Sequence, residues 1–249
     1  MYNINNLFAF SSVMVKIFLI YNFIFTISKK LTLTCYLYKP LKHIFFMKRI
    51  LSLLFCFTGW FALTIQYYLM LETSKLPFGE TTIRFFSYFT ILTNLLAALY
   101  FTYQSLRNNL SKPENSGILS ALTVYILIVG LIYQILLRQT WNPTGMQRVA
   151  DELLHSIIPV LVLIYWYLYE DKKALNYRII PKWAVYPVIY FIYILVRGGF
   201  SGFYPYPFID VTQLGLMKVV MNAFWIVLLF AGLSALLIRI GKALKSDGF

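Results

Sequence analysis

The apolar residues of this chain occur as long unbroken runs rather than as stripes of period 2 or 3.6, which is the pattern of helices that meet lipid on most sides. Runs of this length predict about six membrane-spanning helices. They cover Ile50–Leu71, Ile83–Tyr103, Gly117–Leu137, Leu154–Tyr169, Trp183–Val196 and Leu214–Ile238. The connections carry turn residues: Pro113, Pro143-Thr144-Gly145, Pro181 and Tyr204-Pro205-Tyr206-Pro207. The fifth run is short, contains Pro187 and stops at Gly198-Gly199, so a kinked helix or a re-entrant continuation is expected there. No internal repeat is evident. The predicted fold class is all-α, a polytopic transmembrane helix bundle with a six-span core.

Residues 1–46 stand apart from that core. Leu7–Ile27 is apolar apart from Lys16 and a few polar residues, and is long enough to span. It lacks the basic start and the small-residue cleavage site of a signal peptide. Met47-Lys48-Arg49 followed by an apolar run reads like a natural protein start. The expectation is a six-span membrane domain over 47–249, preceded by either an extra hydrophobic anchor or an upstream extension of the reading frame.

Composition supports the membrane assignment. Of 249 residues, 60% are hydrophobic and 12% charged, with a mean hydropathy of +0.70, whereas soluble domains carry about 25% charged residues. Too little polar surface is present to clothe a water-soluble globule. The net charge of +13 raises the question of nucleic acid, but the basic residues sit in short clusters between apolar runs and not in a stripe alternating with aromatics. Nucleic acid is therefore not an expected partner.

The charges also orient the core. Lys29, Lys30, Lys39, Lys42, Lys48 and Arg49 precede the first span. Arg107 and Lys112 follow the second, Lys172, Lys173, Arg178 and Lys182 separate the fourth and fifth, and Arg239, Lys242 and Lys245 lie in the tail. The alternate loops balance their signs, as in Glu72, Lys75, Glu80 and Arg84, or Arg138, Arg148, Asp151 and Glu152. By the positive-inside rule, both ends of the core, the C-terminus included, face the cytoplasm of a cell-membrane protein. Asn109-Leu110-Ser111 matches a glycosylation acceptor but then lies on the wrong side.

Ligand count excludes one class of chemistry. His43 and His155 are the only histidines, and Cys35 and Cys56 form no CxxC pair, so neither a His-rich metal site nor a disulfide framework is expected. No cofactor is implied.

Polar groups inside spans are costly and mark functional candidates. Gln66 lies near the outer end of span one, and Gln134 near the outer end of span three. In span two, Ser87, Thr90 and Asn94 are spaced i, i+3 and i+7, on one face of a continuous helix. His155 opens span four with Asp151 and Glu152 one turn before it, Arg197 closes span five, and Asn222 lies in the outer half of span six. Each has a structural reading as well: threonines in membrane helices bond the i−4 carbonyl, a terminal arginine snorkels, and acidic residues suit a helix start.

Taken together they suggest a hydroxyl nucleophile with a histidine base. A threonine hydroxyl needs a base within hydrogen-bond reach, and His155 is the in-span group with a suitable ordinary pKa. Asp151 is placed to orient the ring, and Asn94, Gln66 or Asn222 to donate to an oxyanion. No GxSxG elbow, HExxH helix or phosphate-binding loop competes.

Tyr88-Phe89-Thr90, His155-Ser156-Ile157-Ile158-Pro159 and Tyr206-Pro207-Phe208-Ile209-Asp210 resemble, in order and spacing, the landmarks of the bacterial Pr6Pr membrane proteins. Those are similar to the eukaryotic androgen-induced (FAR-17a-like) membrane proteins, threonine hydrolases of fatty acid esters of hydroxy fatty acids. The resemblance covers about residues 47–245. It implies that Thr90 is the nucleophile, that His155 is the base, and that the partners are membrane lipids and a lipid ester substrate. In the eukaryotic pattern an acidic or amide residue stands three positions after the threonine, whereas Asn94 stands four after Thr90, and Thr93 is the rival nucleophile. The gap from histidine to proline also differs by one.

The expected function is intramembrane hydrolysis of a fatty-acyl ester near the extracytoplasmic side, with Arg197 available for a substrate carboxylate. The alternative is a non-enzymatic membrane protein that binds or transports a lipid or small anion through His155 and Arg197. A third reading is an assembly partner with a merely structural polar core.

Overall fold

A computed structural model describes residues 41–107, 117–172 and 175–246, and every regular element among them is helical. The chain divides into two compact units, Met1–Phe46 and Met47–Phe249, and the account below concerns the second. The apolar stretch Leu7–Ile27 and the acceptor Asn109-Leu110-Ser111 lie outside the described residues.

Helix α1 (Leu41–Thr73) is followed by the short α2 (Phe78–Phe85) and by α3 (Phe89–Leu106). Helix α4 (Ile118–Ile132) runs on into a π turn, Tyr133–Leu137. Helix α5 (Gly145–Glu152) continues through a second π turn, Leu153–Ile157, into α6 (Ile158–Tyr169). Then come α7 (Ile180–Ser201), a single turn α8 (Val211–Leu214) and α9 (Leu216–Ser246). Among the described residues, five helical stretches are long and apolar enough to cross a membrane: Phe46–Thr73, Ile118–Leu137, Gly145–Tyr169, Tyr177–Ser201 and Leu216–Leu244. A sixth is added if α2 and α3, which meet at 74°, form one broken span. The protein is an all-α membrane bundle.

Three expected helix boundaries need correction. The second span is not one helix, because it breaks at Phe86–Tyr88. Ser87 falls in the break and does not share a helical face with Thr90 and Asn94. The fourth begins at Gly145 instead of Leu154, so His155 sits mid-helix in a π turn and does not open the span. The fifth is neither short nor re-entrant. It runs through Pro187 to Ser201 and ends on Gly202, whose φ of 65° forms the left-handed cap and whose N–H bonds the Gly198 carbonyl at 2.9 Å.

Close helix approach depends on small residues, as expected where lipid offers no hydrophobic drive between helices. Gly59 of α1 faces Ala98 of α3, and a Cβ there would lie 3.1 Å from the Ala98 Cβ. Gly130 of α4 faces the His155 carbonyl and the Pro159 ring. Around these contacts pack Phe55, Phe101, Ile126, Val162, Tyr165 and Trp166. Buried polar groups are tied between helices: Ser52 with the Tyr165 hydroxyl (2.9 Å), the Trp166 indole to Ser120 (2.7 Å), and the Tyr125 hydroxyl to the Trp183 carbonyl (2.6 Å). Helix α4 is the most enclosed of the spans and α7 the least. Val185, Val188, Ile189, Ile192 and Val196 of α7 are exposed, a surface suited to lipid and not to water.

Candidate active site

His155 is oriented by its own helix. It stands four positions after Asp151, which places both on one side of one turn. Its Nδ1 lies 2.9 Å from the Asp151 carbonyl oxygen and 3.3 Å from Asp151 Oδ1. Two acceptors facing Nδ1 favour a proton there, so in the neutral ring the lone pair falls on Nε2. Asp151 is buried, and a buried carboxylate needs partners. Its second oxygen accepts from the Tyr133 hydroxyl, and the Tyr133 ring stacks on the imidazole, centroids 4.1 Å apart and planes 16° from parallel. Tyr133 and His155 are both set by π turns, a helical irregularity frequent at functional sites.

Thr90 occupies the first turn of α3. The break before it removes the usual i−4 carbonyl partner, and its hydroxyl instead meets the Tyr206 hydroxyl at 3.2 Å while its N–H donates to the same oxygen at 3.1 Å. Tyr206 comes from the loop before α9. Asp210 caps α8 there, accepting from the Thr212 and Gln213 N–H groups at 2.9 and 3.2 Å and from the Thr212 hydroxyl. These bonds, the Thr212 hydroxyl first, hold the Asp210 carboxyl below its ordinary range. Asn222 pins the same loop by donating to the Phe208 carbonyl at 2.8 Å.

Asn94 joins the two halves. Its Nδ2 donates to the Thr90 carbonyl (2.9 Å) and across to the Leu154 carbonyl (3.3 Å), which brings the start of α3 against the π turn that carries His155. No hydrogen bond joins Thr90 to His155 among the described residues. Thr93 is fully buried with its hydroxyl 3.0 Å from that of Tyr186, while Thr90 keeps 8% exposure.

The remaining sequence candidates do not converge on one point. Asn94 is no oxyanion donor, since both its N–H groups are engaged by carbonyls, and Asn222 is occupied at the loop. Gln66 accepts from Gln147 at 2.9 Å and ties α1 to α5. Gln134 donates to Ser156 at 2.8 Å and accepts from Arg138 at 2.9 Å, and Arg138 in turn pairs with Glu152. Arg197 pairs with Glu80 at 3.2 Å. A lateral groove of about 390 Å³ lies at the opposite end of the bundle, between Leu96 and Tyr100 of α3, Ala121 and Tyr125 of α4, and Lys182 of α7. Neither Thr90 nor His155 lines it.

Tyr133 and Tyr206 were not among the sequence candidates for chemistry. Tyr206 was visible only as part of the Tyr206-Pro207 landmark, and Tyr133 stood in an apolar run like any interfacial aromatic. No His, Cys, Asp and Glu grouping among the described residues is suited to a metal ion. Comparison of the chain with family models, with curated proteins and with solved structures gives no match.

Proposed function

We propose that this protein is an intramembrane hydrolase of fatty-acyl esters, with Thr90 as nucleophile and His155 as base, in keeping with the resemblance of its landmarks to the Pr6Pr proteins. The observation that carries the reading is the Tyr133–Asp151–His155 arrangement, in which Tyr133 and Asp151 are buried and His155 is half-buried. A carboxylate is expensive to hold in a membrane bundle, and this one favours the tautomer that leaves Nε2 basic, the role of the third member in hydrolase triads. Thr90 has the better claim over Thr93, because it retains some exposure and lies at a helix N-terminus.

In this mechanism Nε2 of His155 takes the Thr90 hydroxyl proton as Oγ1 bonds to the ester carbonyl carbon. Parting from Tyr206 also frees the Thr90 N–H, and that group, at the positive end of the α3 dipole, stabilises the resulting oxyanion in place of the Asn94 amide. Collapse breaks the ester C–O bond and the departing alkoxide takes the proton back from His155. Water, deprotonated by the same nitrogen, then attacks the acyl carbon; the bond to Thr90 Oγ1 breaks, His155 returns the proton to that oxygen, and the fatty acid leaves. Reaction requires Thr90 to exchange its Tyr206 partner for His155, a tightening common when substrate fills an apo site.

The test is ester hydrolysis by the purified protein in detergent, beside Thr90→Ala and His155→Ala variants of equal thermal stability. The substrates are a fatty acid ester of a hydroxy fatty acid and a plain long-chain ester. His155→Ala is expected to lose about 10²–10⁴-fold in kcat, and Thr90→Ala to lose both turnover and labelling by an ester-directed electrophile. Wild-type turnover no faster than that of either variant, on both substrates, would overturn the proposal.

A further inference from the structure

Near the Thr90 end of the bundle, two arginines share one carboxylate. Arg84 and Glu80 lie four apart on α2, with Arg84 Nε 2.7 Å from Glu80 Oε1. Arg197, near the end of α7, places Nη2 3.2 Å from the same oxygen and Nη1 3.3 Å from Ser201 Oγ. The Phe203 ring packs against both guanidiniums, 4.4 Å from Arg84 and 5.3 Å from Arg197. Guanidinium stays charged at any working pH, so two positive groups against one negative leave the cluster with one uncompensated positive charge.

We propose that Arg84 and Arg197 form a receptor for one singly charged oxyanion head group, a carboxylate or phosphodiester, carried by a membrane amphiphile. The cluster includes neither Thr90 nor His155, and the inference holds whether or not Thr90 reacts. Arg84 uses only Nε, and its two terminal nitrogens meet no acceptor among the described residues. Paired N–H groups of that kind match a carboxylate or phosphate geometrically. Arg197 is 12% exposed and Arg84 28%, so an anion can reach the open Arg84 nitrogens from the surface, and one anion completes the balance. The surroundings specify an amphiphile in preference to a small anion. Tyr193 and Phe200 flank Arg197 one turn to either side, exposed by 41% and 91%, and offer a tail an apolar path along α7 next to the head-group site.

The test is equilibrium binding to the purified full chain in a neutral detergent, with oleate as probe and acetate, inorganic phosphate and oleyl alcohol as controls. Saturable oleate binding is expected, weakened about tenfold or more by Arg84→Gln or Arg197→Gln, since each removes a charge-assisted hydrogen bond. Glu80→Gln, which raises the local charge from one to two, is expected to tighten oleate binding. A structural ion pair would give no such gain, and this variant keeps the proposal testable if the arginine variants fold poorly. Oleyl alcohol binding as tightly as oleate, or oleate binding unchanged in the double arginine variant, would overturn the receptor. Acetate or phosphate binding as tightly as oleate would overturn the amphiphile.

Discussion

The proton on His155 is decided by what faces Nδ1, and at present that is a carbonyl and a carboxylate oxygen of Asp151. Asp151→Asn leaves the backbone carbonyl, the nearer of the two acceptors, and removes the carboxylate charge that steadies the imidazolium formed in the proposed mechanism. The expected result is a fall in kcat of about 10²-fold, with KM little changed because no substrate contact is lost. Tyr133→Phe keeps the stacked ring and removes only the hydroxyl that bonds Asp151, so a smaller loss, about tenfold, is expected. Equal losses from the two substitutions would show that Asp151 serves the packing of the bundle and not the imidazolium. The Asp151–His155 pair is legible in the sequence because i and i+4 share a helix face, and the π turn that begins between them leaves the two in reach. Tyr133 and Tyr206 are not, because they lie 18 residues from Asp151 and 116 from Thr90, and only tertiary structure closes such gaps.

Helix irregularities set how these side chains are presented. A π turn inserts one residue into the helical repeat and rotates everything after it, and the hydrophobic runs carry no mark of either π turn or of the break before α3. A continuous-helix reading therefore groups Ser87 with Thr90, and the polar run Gln147, Arg148, Asp151 and Glu152 hides the helical turns that precede Leu154. Turn residues did locate the ends that depend on backbone conformation, as at Pro143-Thr144-Gly145, where α5 begins at Gly145. The π turn at His155 rests on Gly130 of α4. A Cβ at that position would stand 3.0 Å from the His155 carbonyl oxygen and 3.3 Å from Pro159, a backbone atom and a ring that cannot swing aside. Gly130→Ala is therefore expected to cost about 1–3 kcal/mol, read as a lower Tm in detergent. Activity should fall as well, although no reacting group is touched. An unchanged Tm would mean that α4 and the π turn are not packed as closely as this contact requires.

At the scale of the whole bundle, the number of crossings was readable from hydropathy only to within one, because α2 and α3 can be taken as one broken span or as a re-entrant pair. Length and contacts separate these. Helix α3 has 18 residues, about 27 Å at helical rise, which nearly matches a hydrocarbon core of about 30 Å. Its first turns meet Leu154 and Tyr190, and its later ones meet Cys56, Trp60 and Tyr165, so its neighbours change along a full traverse. The two ends of α4 mark opposite ends of the bundle: the Gly117 N–H bonds Glu170 at 3.0 Å, while Gly130 faces His155. Six crossings follow if α3 spans alone, and the start of α1 and the end of α9 then lie on one side. Lys48, Arg49, Arg107, Arg178, Lys182, Arg239 and Lys242 belong to the ends and connections on that side, and the positive-inside rule predicts that this side faces the cytoplasm. Single cysteines introduced at Arg49 and at Lys242, in a chain with Cys35 and Cys56 replaced by serine, are expected to resist a membrane-impermeant thiol reagent in intact cells. A cysteine at Gln139, beside the Thr90 end, is expected to react. Labelling of Arg49 and Lys242 on opposite sides would instead give an odd number of crossings and make α2 and α3 a re-entrant pair. Thr90 would then sit at the tip of a hairpin and not on a helix that traverses the bilayer.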